Sequence, residues 1–175
     1  MNALIKRLLV GLAFMIIVPM LRAGSATWSV SPTSNDWNTA ENWTPPTIPS
    51  SQTDVATFAG SNTTTLICGD APGGDGAETI VGDIVFAQGA SSYTITVTPV
   101  FDTGGLPSTL EFYGGGITNN SGVVQNFVAT NSGTDIESAR IYFNNSSSAG
   151  ENVVITNQGG ATISQMVIMA ASPPS

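Results

Sequence analysis

The sequence predicts an all-β protein, a parallel β-helix (β-solenoid) with an N-terminal cap. Six runs rich in β-branched and aromatic residues (79–86, 93–100, 110–113, 123–128, 139–143 and 153–156) are four to eight residues long and bounded by Gly, Asn or Ser. No amphipathic helical period separates them. The third observation is self-similarity: Ile117-Thr-Asn-Asn-Ser-Gly122 recurs as Ile155-Thr-Asn-Gln-Gly-Gly160, with Phe143-Asn-Asn-Ser146 as a looser copy between them. The first two copies start 38 residues apart, twice 19, which predicts coils of about 20 residues. No coil of such a stack can bury its apolar face until its neighbours cover it. The alternative is a β-sandwich with Asn- and Gly-rich turns.

Residues 1–26 read as a secretory signal peptide. Lys6 and Arg7 precede an apolar run from Leu8 to Val18, and Pro19 ends it ahead of small residues. Gly24 and Ala26 stand at the third and first positions before a cut after Ala26, with cuts after Ala23 or Ser25 as alternatives. The apolar stretch to Leu21 is shorter than the roughly 20 residues that cross a bilayer, so no membrane span is expected in the mature chain. The expected location is secreted or cell-surface. Cys68 is the only cysteine, which excludes an internal disulfide, and it is expected as a small buried apolar side chain.

Residues 27–68 are expected to form a cap of short strands and turns. They hold all three tryptophans, Trp28, Trp37 and Trp43, with turn signals at Asn35-Asp36 and Pro45-Pro46 and a strand-like alternation over 54–59. Residues 69–163 are expected to form the solenoid coils, opening with the Gly-rich loop of 69–76. In the coils, corner Asn residues are expected to form hydrogen-bonded ladders, with Gly where the chain bends. Residues 164–175 are expected to be an irregular tail.

Charge and composition exclude much. Lys and Arg number 4 against 12 Asp and Glu, and Arg140 is the one cation outside the first 26 residues. A single Arg cannot neutralise phosphates, so nucleic acid is excluded as a main partner and an anionic lipid surface is unsupported. The absence of His removes Ser-His and Cys-His nucleophiles and every His-containing zinc site.

Several segments carry a resemblance. The stretch from Trp28 to Trp43, followed by DVATFAGSNTT, GDIVFAQGASSYTITV and GITNNSGVVQNFV, resembles the N-terminal part of secreted bacterial proteins with autotransporter-associated β-strand repeats. IYFNNSSSAGENVVITNQGGA resembles one repeat of their solenoid, and the likeness covers residues 27–162. It implies a parallel β-helix displayed outside the cell. The chain departs from the pattern after about one clear repeat: SQMVIMAASPPS does not continue it and lacks the strands of a translocator barrel, as expected of a truncated or fragmentary product.

The candidate sites are few. Trp28, Trp37 and Trp43 could form a carbohydrate-binding platform, but the reading favoured over it has them cover the open end of the first coil. Asp70, Asp75 and Asp83 offer oxygen ligands to Ca²⁺ but lack the spacing and the bidentate Glu of an EF-hand, so no metal site is assigned. Glu111, Glu137 and Glu151 are available carboxylates, yet nothing brings two together for glycoside hydrolysis. Arg140 is the only basic residue for a lyase-like proton abstraction, a role its charge opposes. The N-x-[ST] positions Asn42, Asn62, Asn119, Asn144 and Asn145 read as corner residues. The expectation is an exported structural or surface-interaction protein without catalysis or cofactor. Its expected partners are polysaccharide or cell-surface components, or its own copies through an open solenoid end; a carbohydrate-binding module or a polysaccharide-cleaving β-helix enzyme is the alternative.

Overall fold

The computed structural model describes residues 24–69, 78–99, 107–131, 138–159 and 162–165. The expected signal peptide as far as residue 23, residues 70–77 and most of the expected tail lie outside them. Alternation builds the strands: Val55–Phe58, Thr94–Val97 and Arg140–Phe143 each place every second residue in the interior.

In chain order the strands are β1 (Ala26–Trp28), β2 (Trp43–Thr44), β3 (Val55–Phe58), β4 (Thr65–Cys68), β5 (Glu78–Phe86) and β6 (Thr94–Val97). They continue with β7 (Thr109–Asn119), β8 (Gln125–Ala129), β9 (Arg140–Phe143), β10 (Val153–Asn157) and β11 (Thr162–Gln165). One sheet has the order β11-β9-β7-β5-β3-β1-β2, the other β10-β8-β6-β4. Among the described strands every pairing is parallel except β1 with β2. Stacked parallel strands of this kind form a β-solenoid of about four turns, as the sequence predicted.

The coil length differs from expectation. Leu66, Ile95, Phe127 and Ile155 lie in register across β4, β6, β8 and β10, so successive coils advance by 29, 32 and 28 residues. The repeat that predicted 20 joins unlike places. Ile117 belongs to β7 and pairs with Ile84 in the larger sheet, whereas Ile155 belongs to β10 in the smaller one. Stacking also begins before residue 69, because β3 and β4 are already in register with β5 and β6.

β5 and β7 each serve two runs of the larger sheet. Their first parts, 78–81 and 109–112, stack with β9, and their second parts, 83–86 and 116–119, stack with β3. The register shifts between them, where Gly82 alone stands opposite the three residues 113–115. Gly116 has φ +93, and a Cβ there would lie 2.2 Å from the Ser148 carbonyl oxygen. Only glycine lets the backbone approach so closely. Ile117 donates its N–H to that carbonyl at 2.8 Å, tying the bend to the next coil.

The core is a continuous column of inward side chains. Phe58 stacks on Phe86 with centroids 5.2 Å apart, and Phe112 on Phe143 at 4.8 Å and 11°. Each fully buried Phe or Leu contributes on the order of 1.5–3 kcal/mol from area removed from water. Two of the buried side chains illustrate how polar groups are satisfied across coils. Gln125 accepts from the Tyr93 N–H at 2.7 Å and donates to Ser91 O and Ser121 Oγ, while the Tyr93 hydroxyl donates to Ala59 O at 2.7 Å. Three corner Asn side chains reach the neighbouring coil's backbone: Asn119 donates to Asn152 O, Asn145 to Tyr113 O and Asn131 to Gly159 O.

The N-terminal end is closed. β2 covers the edge of β1, and Asp36 bridges to Ile67 on the edge of β4. Asn42, fully buried after a single 3₁₀ turn (Ala40–Asn42), organises the loop. Its carbonyl accepts from Thr33 N–H, Thr33 O–H and Ser34 N–H at 2.8, 2.9 and 3.0 Å, and its amide donates to Ser34 Oγ and Asp36 O.

Candidate functional site

The tryptophans lie inside the cap. Trp28, Trp37 and Trp43 expose 1%, 0% and 2% of their surface. Trp43 packs edge-on against Trp28 and Trp37 at 5.1 and 4.8 Å. Each indole N–H donates to a backbone carbonyl: Trp28 to Thr63, Trp37 to Pro49 and Trp43 to Trp37, at 3.0, 3.2 and 2.8 Å. A sugar stacks on an exposed ring face, and these rings keep none open to solvent. Trp28, Trp37 and Trp43 are therefore packed within the cap and leave no open platform, the less favoured of the two sequence readings.

The acidic candidates are dispersed as well. Asp70, Asp75 and Glu137 lie outside the described residues. Asp83 spends its Oδ1 on the Gly115 and Gly116 amides, at 2.6 and 3.0 Å, which pins the β5–β7 bend. Glu151 is exposed before β10, away from the strand that carries Glu111. Among the described residues no three of His, Cys, Asp or Glu converge as metal ligands. Cys68 is buried and donates to Thr79 Oγ1 at 3.2 Å; burial pushes its thiol up to about 12. A thiol so held is not a nucleophile at neutral pH. Asn42 is buried with its amide engaged, so its N-x-[ST] sequence offers no accessible side chain.

Ala26, the expected last residue of a signal peptide, is 5% exposed and belongs to β1 in register with Ala56. A cut after it would divide β1, whereas a cut after Ala23 leaves the strand whole.

What the structure does assemble is a polar cluster on the outer side of β5, β7 and β9. Because Leu110, Phe112, Ile141 and Phe143 point inward, Glu111, Tyr113, Arg140 and Tyr142 point out. Glu111 and Tyr142 are register partners on adjacent strands. Tyr113 donates its hydroxyl to Glu111 Oε2 at 3.0 Å, and Asn144 Nδ2 donates to the same oxygen at 3.3 Å. Arg140 Nη1 donates to the Tyr142 hydroxyl at 3.2 Å. The hydrogen bond to Glu111, with smaller contributions from burial and from the charges of Glu111 and Glu78, raises the Tyr113 phenol above its ordinary value. All five side chains are half-buried. The arrangement offers carboxylate acceptors, guanidinium and phenol donors and two ring faces within one patch.

Sequence reasoning singled out Glu111, Arg140 and, as a corner residue, Asn144, but missed Tyr113 and Tyr142 and brought none of these together. Aligning Leu110-Glu-Phe-Tyr113 with Ile141-Tyr-Phe-Asn144, two apolar-x-Phe runs, would have paired them.

No family model, curated protein or solved structure matches the chain. Among the described residues no helix is long and apolar enough to cross a membrane.

Proposed function

We propose that the chain is an exported structural or surface-interaction protein, a β-solenoid of autotransporter-passenger type that presents an outer surface and catalyses no reaction. The supporting observation is where chemistry-bearing side chains lie. The interior is filled by stacked apolar residues, and the Glu111 cluster is on the outside. Its partners under this reading are polysaccharide or other cell-surface components.

Fractionating cell, envelope and medium with an antibody against residues 27–162 tests export. The expected product is in the envelope or medium and begins at Gly24, the residue after a cut at Ala23, when its N-terminus is sequenced. An unprocessed product confined to the cell interior overturns the reading.

The same reading includes self-association through the last described coil. Val153 and Ile155 are half-covered there and Val154 is 47% exposed. Light scattering is expected to give a mass above the monomer that rises with concentration. A monomer at every concentration removes this part.

A further inference from the structure

The Glu111 cluster has chemistry to spare. Among the described residues the donors to Glu111 both reach Oε2, leaving Oε1 for an outside donor. Among the same residues Arg140 meets no carboxylate; its guanidinium contacts only the Tyr142 hydroxyl, and its Nε is buried without a partner. Among the described residues this guanidinium is without a carboxylate partner, in a chain with 12 Asp and Glu against 4 Lys and Arg. Folding has placed the cation beside a phenol on an outer strand face, where the Nη N–H groups not given to Tyr142, though not the buried Nε, can serve a ligand.

The patch's size and charge select among ligands. Three strands about 4.8 Å apart and runs of four residues give a strip of roughly 10 by 13 Å. A stable protein partner needs about 800 Å² on each side, several times that area. Glu78 and Glu111 share this side with Arg140, so a polyanion meets more repulsion than attraction. Acceptor, donor and amide side by side instead suit hydroxyl groups, which both give and take hydrogen bonds. The rings of Tyr113 and Tyr142 suit the apolar faces of pyranose rings.

We propose that Glu111, Tyr113, Arg140, Tyr142 and Asn144 form a binding site for an uncharged polysaccharide on the outer side of β7 and β9. The proposal rests on the surface-interaction reading and names its ligand. Glu111 Oε1 accepts from a sugar hydroxyl, the Arg140 Nη groups donate to sugar oxygens, and the tyrosine rings carry the pyranose faces.

The test is affinity electrophoresis of the full processed chain in gels cast with laminarin, xylan, galactomannan or polygalacturonate. At least one of the three uncharged polymers is expected to retard the protein, with little change on raising salt. Glu111→Ala and Tyr142→Ala are each expected to weaken that retardation about tenfold, equivalent to about 1.4 kcal/mol. Thr96→Ala, on the other sheet, is expected to change nothing. Should Tyr142→Ala melt early, Tyr142→Phe keeps the ring and loses the hydroxyl that Arg140 holds, and a loss of several-fold is expected from it. No retardation by any uncharged polymer, retardation unchanged in both Glu111→Ala and the tyrosine variant, or retardation by polygalacturonate alone that vanishes with salt each overturns the site. A surface-located protein that fails this test loses the site and keeps the surface reading. A protein that passes it but stays unprocessed inside the cell loses the surface reading alone.

Discussion

Leu66 and Ile155 occupy the same place in the first and last described coils, in register through Ile95 and Phe127, yet Leu66 is fully buried and Ile155 is not. At the N-terminal end three interlocked tryptophans, β2 and the Asn42-centred loop lie over the first coil. Among the described residues nothing comparable lies over β10. The side chain does not decide its own burial here; the next layer does.

The largest test of that contrast removes the layer. Trp37→Ala deletes a fully buried ring and its bond to Pro49, and is expected to cost about 3–5 kcal/mol in urea unfolding, as aromatic-to-Ala core changes do. A cost under about 1 kcal/mol would mean that the cap does not support the coils. Next comes the same substitution at two levels of one column. Ile95→Ala is expected to cost about 2–5 kcal/mol and Ile155→Ala about 1 kcal/mol, and equal losses would show the last coil to be as well covered as the second.

Asn42→Ala is a smaller probe of the cap. It leaves three donors from Thr33 and Ser34 without their acceptor, and about 2 kcal/mol is expected from their partial exposure to water. Thermal melts of Asn42→Ala and Asn42→Asp separate the loss of the acceptor from the loss of volume, since Asp retains an acceptor there.

The smallest effect is with pH. Burial pushes both the Cys68 thiol, ordinarily near 9.0, and the Tyr93 phenol, ordinarily near 10.0, up to about 12. Between about pH 9 and 12 the unfolded chain therefore holds fewer protons than the folded one, and stability falls as pH rises. Below that window the two groups contribute no slope. Cys68 accounts for about 1 kcal/mol at pH 10, so the Cys68→Ala variant is expected to lose less stability than the parent chain between pH 8 and pH 10.

Much of this architecture is legible in the sequence, and the misses have physical causes. Runs rich in β-branched and aromatic residues mark β5, β6, β8, β9 and β10, and alternation marks β3, because a strand with one face in the core alternates. Coil length is misread because the Asn- and Gly-rich motif reports a kind of corner, and one coil has more than one corner: Ile117 and Ile155 precede different turns in different sheets. The Gly114-Gly-Gly116 run reads as the end of a strand, whereas β7 passes through it, held by Asp83 and Ser148. A Trp-rich segment looks the same in sequence whether its rings face water or one another, and the carbonyls of Thr63, Pro49 and Trp37 that decide the matter belong to the fold. Tyr142 becomes visible beside Glu111 only when the register of β7 and β9 is known.

The bend between 81 and 83 in one coil and between 112 and 116 in the next uses one residue in the first case and three in the second, while the strands on either side stay in step. Such a joint separates chain length from cross-section. A residue inserted beside Gly114 is expected to enlarge the joint and leave the inward residues of both flanking runs where they are. The same residue inserted between Leu110 and Phe112 would turn part of the strand inside out, because the side-chain period there is two. Loops, tags or epitopes grafted at the joint therefore add to the outline of the molecule without disturbing its layers.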